Sequence, residues 1–485
     1  MAGAGRDVNK ALPRAARSGC RAGAKPSQSP RAAGARTTKR PRRRRKNDEK
    51  TAPQAQERRK DRAFGARAKG TSVPKVVILN DASVARGGAT GLALLQARLL
   101  RARGLAVVFA SADRGAGAAA LRDIGVEVHL AGAQPLTEAA PHVAATRGLY
   151  NPAVARMLAR VIAAHDGPDT VYHVHSWSKA LTPAVFAALR PVAPRVFIHA
   201  HDFFLACPNG GFMDYQAMRP CARRGLSAAC LTTQCDKRSF AQKLWRSARQ
   251  AILHRSLPRR APWGGIVLIH PAMAPRLVAQ GYPAARLRVL RNPAEALSPC
   301  RIPAETNRGF LFIGRIEAEK GIEELIGAAQ AAGVALTVVG EGPLRAPLSR
   351  AHPQLRFTGW LDRAGMLAEA QQARAVVMPS RYPEPFGLVA AEAVLSGLPV
   401  ILSEPALLAP EIAAQGLGWA CDTRDPAAFA ALLRLVADLP PAALRQVSEA
   451  GFGARAGLCL TTDAWCDGLL ELYAGVTGSL AAGPG

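Results

Sequence analysis

Met378-Pro-Ser-Arg-Tyr-Pro-Glu-Pro-Phe-Gly-Leu-Val-Ala-Ala-Glu392 follows a short apolar run, Ala375-Val376-Val377, which reads as the end of a buried strand. Pro379 and Pro383 forbid a helix, and Pro385-Phe386-Gly387 makes a tight turn. From Leu388 the run Leu-Val-Ala-Ala-Glu-Ala-Val-Leu is helical and apolar. Glu384 therefore sits on a loop at a helix mouth, and Glu392 lies inside the helix. Exposed amides at such a mouth attract a diphosphate, and carboxylates accept hydrogen bonds from hydroxyls. Alone, the stretch reads first as a plain strand–turn–helix with two solvated glutamates, so its neighbours must decide.

Those neighbours repeat the same unit. Gly309–Ile313 reads as a strand followed by Gly314-Arg315 and Lys320-Gly321, then a helix through Ala329. Val334–Val339 leads into Gly340-Glu341-Gly342-Pro343, Leu355–Thr358 into Gly359-Trp360, and Pro399–Leu402 follows the helix of the opening stretch. Strands alternating with helices predict a parallel sheet, and glycine turns after the strands mark the edge where ligands bind. Upstream, strand Val73–Asn80, the turn Arg86-Gly87-Gly88-Ala89-Thr90, helix Leu92–Leu100 and strand Ala106–Ala110 form a βαβ unit. The pair Gly87-Gly88 lets a ligand approach the backbone, but this is not a G-x-G-x-x-G fingerprint. Further strands are predicted at 126–130, 170–175, 196–200, 265–270 and 287–290. His201 falls just past one of them, at the ligand edge; His173 and His175 lie in a strand and read as structural. A Pro-, Ala- and Glu-rich stretch up to Arg308 separates the two halves.

A chain of 485 residues, 49% of them hydrophobic, holds roughly two to three domains with full cores. No apolar run has the length of a membrane span, and nine cysteines are too sparse for a disulfide scaffold. The net charge of +29 is uneven: residues 1–73 carry 22 Lys+Arg against 5 Asp+Glu, centred on Lys39-Arg-Pro-Arg-Arg-Arg-Arg-Lys46. That segment has no hydrophobic period and is expected to be disordered. Its charge suits nucleic acid or an anionic surface and its composition a transit peptide, but the expectation ahead of both is a segment outside the mature protein, whose true start would lie near Val73, or a passive tail.

Residues 203–260 interrupt the α/β rhythm. Cys207, Cys221, Cys230 and Cys235 are spaced as in no standard zinc site, so buried thiols are expected ahead of a structural metal. Lys237–Arg255 reads as a basic amphipathic helix, with Phe240, Leu244, Ala248 and Ile252 on one face and Lys243, Arg246, Arg249 and Arg255 mainly elsewhere. Either the apolar face packs on the core, or the helix lies on an anionic membrane.

The order and spacing of Gly314-Arg315, Lys320-Gly321, Gly340-Glu341-Gly342-Pro343, Phe357-Thr358-Gly359 and Pro379-Ser380 through Glu384-x7-Glu392 resemble the donor-binding half of the retaining glycosyltransferases of family 4, the group 1 glycosyltransferases. Gly87-Gly88, His201 and Asn292 are similar to that family's acceptor-side glycine turn, post-strand histidine and hinge asparagine. The resemblance covers 74–478 and is weaker before residue 300. It implies an α/β protein of GT-B fold, two facing Rossmann-like domains with parallel sheets and an interdomain cleft. The expected divisions are a disordered basic tail (1–73), an acceptor-side domain (74–292), a nucleotide-sugar domain (305–455) and a C-terminal helix crossing back (456–478).

The same resemblance implies site roles. Arg315 and Lys320 would bind the donor diphosphate, and Glu384 the sugar hydroxyls. Phe386, Gly387 and Leu388 would offer backbone amides, and Glu392 would hold the ribose. Gly359, Trp360 and Leu361 would line the base pocket, and His201 would meet the sugar from the other domain. No cofactor is implied; a UDP- or GDP-sugar is substrate, and no DxD-type acidic pair is placed for Mg²⁺. The acceptor would be a glycan or lipid-linked glycan. Composition and the basic helix lead to the expectation of a cytoplasmic protein with peripheral contact through 237–255 at the inner face of the membrane, and no principal role for nucleic acid. A sugar-nucleotide epimerase or phosphorylase on the same fold is the nearest alternative, and a basic nucleic-acid-binding protein the alternative from another class.

Overall fold

A computed structural model describes residues 75–85, 87–134, 136, 138–453 and 457–477. The expected basic tail, residues 1–73, lies outside the described residues.

Two parallel sheets carry the fold. The first orders β3-β2-β1-β4-β5-β6-β7, from β1 (Lys75–Asn80), β2 (Ala106–Ser111), β3 (Glu127–Leu130), β4 (Thr170–Val174), β5 (Val196–Ala200), β6 (Gly265–Leu268) and β7 (Leu287–Val289). The second orders β10-β9-β8-β11-β12-β13, from β8 (Gly309–Ile313), β9 (Leu336–Val339), β10 (Arg356–Gly359), β11 (Ala373–Met378), β12 (Val400–Ser403) and β13 (Gly418–Cys421). Strand ends differ from the sequence reading by a residue or two, the usual uncertainty of element boundaries. Strands such as Val76–Leu79 and Val376–Val377 are apolar at successive positions because helices cover both faces of each sheet.

Six helices shape the cleft and its surroundings: α1 (Gly88–Ala102), α2 (Pro152–His165), α3 (Phe240–Ser256), α4 (Ile322–Ala332), α5 (Leu388–Leu395) and α6 (Thr462–Ala474). Helix α1 starts on Gly88 itself, so the glycine pair forms the helix mouth. Helix α6 returns to the first sheet, where Trp465, Cys466, Leu469 and Tyr473 join Val76, Ile78 and Leu100 in one core. Phe386, Ala391 and Leu395, although in the second half, pack into the core of the first. Among the described residues no single helix is long and apolar enough to cross a membrane.

Helix α3 corrects the packing expected from its sequence. Its apolar stripe faces outward: Phe240 is 42% and Leu244 47% exposed, and the buried side holds Lys243, Ser247, Arg249, Gln250 and Leu253. Polar contacts explain the inversion. Lys243 Nζ donates to Cys230 Sγ (3.2 Å) and Cys235 Sγ (3.0 Å), and Gln250 donates to the Leu205 carbonyl. The Arg249 guanidinium lies 5.6 Å from the rings of Trp177, Phe204 and Trp245, and burial lowers its pKa to about 10. Cys207, Cys221, Cys230 and Cys235 are all free thiols; among the described residues no three of their sulfurs converge as metal ligands.

Candidate active site

Each sheet reverses its winding once, and ligands in such sheets bind outside the carboxyl ends of the strands at that point. In the second sheet the reversal falls between β8 and β11. Gly314, Arg315 and Lys320 follow β8, and the Pro379–Gly387 loop follows β11, so the two conspicuous motifs flank the same crevice. Tight turns need glycine here: a Cβ on Gly340, after β9, would stand 1.9 Å from the Gly314 carbonyl oxygen. Gly387 caps α5 at φ +75° with no side-chain cap, leaving the first amides of that helix without a side-chain partner.

Lys320 and Glu384 meet in this crevice. Lys320 Nζ donates to Glu384 Oε2 at 2.6 Å and Oε1 at 2.9 Å, and to Tyr382 Oη at 2.8 Å. Ser380 Oγ donates to Glu384 Oε2 at 2.7 Å. Burial opposes the charged carboxylate, but Lys320, Ser380 and Tyr382 outweigh it and hold the Glu384 pKa below its usual range. Glu384 is therefore a fixed, ionised acceptor, with a cation already aligned beside it. Arg315, 66% exposed, pairs with Glu317 (2.6 Å) and also lines a cleft of about 630 Å³.

That cleft belongs mainly to the reversal point of the first sheet, between β1 and β4. Gly87 and Gly88 line it, as do Asp81, Asp113, Lys179 and Asp202. A Cβ on Gly88 would lie 3.3 Å from Leu388 Cδ1, so the Gly87-Gly88 turn abuts the start of α5 across the domain boundary. Two residues here, Asn80 and Asp81, are absent from the sequence-derived candidates. Asn80 donates to Ala82 O and Thr90 Oγ1 and accepts from the Ser176 amide, and Asp81 accepts from the amides of Lys179, Ala180 and Leu181. Their signal in the sequence is a polar pair at the end of the first strand. Asp202 is raised to about pKa 6 by burial, with Asp81 adding to the shift.

His201 does not stand alone. His173 and His175, on and just after β4, and His199 and His201, on and just after β5, form two columns of imidazoles. His175 Nε2 contacts Gln96 Oε1, and His201 Nε2 lies 2.9 Å from His175 Nδ1. The Gln96 amide nitrogen donates to Tyr473 Oη, which contacts His173 Nδ1, and His173 Nε2 lies 3.2 Å from His199 Nδ1. Burial depresses His173 and His201 to about pKa 3 and His175 and His199 well below their usual value, so the rings are neutral. With the amide in this orientation the tautomers follow. A carbonyl only accepts, so His175 carries its proton on Nε2; its bare Nδ1 then takes the His201 Nε2–H. His201 Nδ1 is left as a buried lone pair with no partner.

The remaining candidates are more scattered. Gly359 ends β10, three strands from β11; Trp360 beside it is 74% exposed, and Leu361 packs against the second core. Glu392 sits inside α5, where burial raises its pKa to about 7 against the opposing pull of Arg363.

Residues 301–451 match the family described as glycosyl transferases group 1. A glycogen synthase of Mycobacterium tuberculosis is 38% identical over 184 residues, covering 34% of this chain and 43% of that protein. A GDP-mannose-dependent alpha-mannosyltransferase of the same organism is 44% identical over 91 residues, covering 19% of this chain and 24% of the other. The chain thus spans less than half the length of these curated relatives. Among solved structures, Anabaena HepE in complex with UDP-glucose matches with a TM-score of 0.56 at 17% identity, covering 83% of this chain and 100% of that one. Residues 301–451 thus match a group 1 glycosyltransferase domain, set in a chain with the two-domain GT-B fold.

Proposed function

We propose that this protein transfers a sugar from a nucleotide-diphosphate-sugar to a hydroxyl of a glycan or lipid-linked glycan, with retention of anomeric configuration and without a metal. One observation carries the reading: Lys320 and Glu384 lie paired in a buried polar cluster at the mouth of α5, opposite the Gly87-Gly88 turn. Breaking the glycosyl–phosphate bond leaves an oxocarbenium-like centre and builds negative charge on the diphosphate. Lys320 and Arg315, with the amides of Phe386, Gly387 and Leu388 at the helix mouth, stabilise that charge. Glu384 accepts from the sugar hydroxyls, and Glu392 holds the ribose. Gly359, Trp360 and Leu361 form one wall for the base. His201 Nδ1, a bare acceptor, receives a hydroxyl of the transferred sugar. In a retaining transfer of this kind the leaving phosphate takes the acceptor proton, so no strong side-chain base is needed.

The donor is a UDP- or GDP-sugar, since similar proteins are described with UDP-glucose and with GDP-mannose. Thermal-shift measurements with UDP-glucose and GDP-mannose, paired with a radiolabelled transfer assay on lipid-linked glycans, test the reading. One donor should raise the melting temperature, and Glu384→Ala should abolish transfer without loss of the fold. Consumption of no nucleotide sugar by the wild type would overturn it. Transfer should persist in EDTA; activity lost there and restored by Mg²⁺ would reject metal independence.

The outward stripe of α3 supports a peripheral site of action at the inner face of a membrane. Phe240 and Leu244 are exposed on a helix whose two ends carry exposed Arg238 and Arg255, with no acidic residue between 237 and 255. The full chain should sediment with vesicles containing anionic phospholipid, and Phe240→Glu with Leu244→Glu should release it. Equal sedimentation of the double variant would reject this role for the helix.

A further inference from the structure

Glu127 and His129 on β3 are two residues apart and so share one face of the strand. His165 closes α2, which runs back against the strands and ends just ahead of β4. The three side chains meet at the outer flank of the first sheet, on its last strand, away from the reversal point that opens the cleft. His129 Nε2 lies 2.8 Å from Glu127 Oε1, His165 Nε2 lies 3.2 Å from the same oxygen, and the two nitrogens are 3.2 Å apart.

Hydrogen bonds alone serve this triangle poorly. Each neutral imidazole has at most one proton on Nε2 and the ionised carboxylate has none, so at most two protons face three short contacts. If both nitrogens donate to Oε1, their hydrogens crowd across a 3.2 Å gap. If one is bare, its lone pair faces the carboxylate oxygen. A cation removes the conflict, because all three atoms then point lone pairs at it. Ligands held at ~2.0–2.1 Å from one ion in tetrahedral or right-angled arrangement are themselves roughly 2.9–3.4 Å apart, which is close to the spacing found. Ring orientation agrees: the His129 and His165 planes meet at 73°, so their in-plane lone pairs can converge.

The second group of close imidazoles, His173, His175 and His199, fails this test. Its rings are nearly parallel, with interplanar angles of 19° to 26°. Their lone pairs run side by side, and each inner nitrogen already serves the chain through Gln96 and Tyr473.

We propose that Glu127, His129 and His165 bind one divalent transition-metal ion, zinc being the best match, and that the ion pins the end of α2 to the edge strand β3. Two imidazoles and one carboxylate suit zinc and its neighbours rather than Mg²⁺ or Ca²⁺, which prefer oxygen. The Lys75 ammonium reaches the His165 backbone carbonyl at 3.5 Å, and Glu127 supplies the one carboxylate of the ligand set. The side chains of Glu127 and His129 are 55% and 30% exposed, so an ion can enter, and a water can complete its coordination.

The site is tested on untagged full-length protein, stripped with EDTA and desalted, then titrated with Co²⁺ and with Zn²⁺. One equivalent of Co²⁺ should give visible bands of a nitrogen–oxygen site without near-ultraviolet thiolate absorption, and Zn²⁺ should displace it. Zn²⁺ should also raise the melting temperature. His129→Ala and Glu127→Gln, both at accessible positions, should each weaken binding by about tenfold or more while leaving the melting temperature of the metal-free protein unchanged. Thiolate absorption, binding unaltered in both variants, or no binding at all would overturn the proposal. The titration needs no nucleotide sugar, so its failure leaves the transferase reading standing, and the reverse.

Discussion

At the scale of single residues, the buried histidines are the most exacting part of the molecule. Gln96 sets the tautomer of His175 and, through it, which nitrogen of His201 carries the proton. Gln96→Leu removes that control while nearly preserving volume. We expect ¹⁵N spectra of histidine-labelled protein to lose the single Nε2–H form of His201, and kcat to fall about tenfold, the ~1 to 1.5 kcal/mol of one hydrogen bond. Gln96→Glu, which still accepts from His175, should recover the tautomer in part; unchanged spectra in Gln96→Leu would refute the chain. Glu392 makes a second, pH-dependent case. Its pKa rises from 4.5 to about 7 in the folded protein. Its protonated form therefore favours folding; that contribution is complete below about pH 4.5 and is lost as the pH rises through about 7. Glu392→Gln should melt higher than wild type near pH 8 and match it near pH 4, while binding donor more weakly. Parallel melting curves across that range would refute the assignment.

Elements show where sequence reading succeeds. The glycine turns after β8, β9, β10 and β11 are legible because each is a local solution to a local problem, a chain reversing direction at a sheet edge. Gly387 illustrates it, since φ is +75° and a Cβ would stand 2.8 Å from Met378 Cε. Gly387→Ala should destabilise the chain by about 1–2 kcal/mol, the cost of a left-handed non-glycine residue, and should also lower donor affinity by displacing the first amides of α5. Urea melts and donor titrations check both, and an unchanged midpoint would show that the turn tolerates a side chain. Helix α3 misleads for the opposite reason. Periodicity reveals that a helix has two faces, but the side that is covered depends on what packs there. Here the cover is the irregular cysteine segment, whose thiols and carbonyls take up Lys243 and Gln250. The histidine chain is equally invisible in the sequence, because residues 96, 173, 175, 199, 201 and 473 are joined only by tertiary packing.

For the whole molecule, closure of the cleft depends on what holds the two facing domains together. Two kinds of contact cross between them. Phe386, Ala391 and Leu395 are buried in the first domain's core, a dry contact that salt leaves nearly untouched. Lys237, just ahead of α3, reaches Glu319 at 2.9 Å and Glu317 at 3.3 Å in the loop that carries Lys320. Lys237 is 47% exposed, so this latch contributes at most about 1 kcal/mol and is screened by salt. If closure over the donor is coupled to the latch, Lys237→Ala should weaken donor binding by up to about fivefold at low ionic strength. At high salt the variant and wild type should converge, because screening has already removed what the substitution removes. Donor titrations at low and high salt decide the matter. A deficit of the same size at both would mean that Lys237 acts locally on the Lys320 loop, whereas no deficit at either would leave closure to the apolar contact alone.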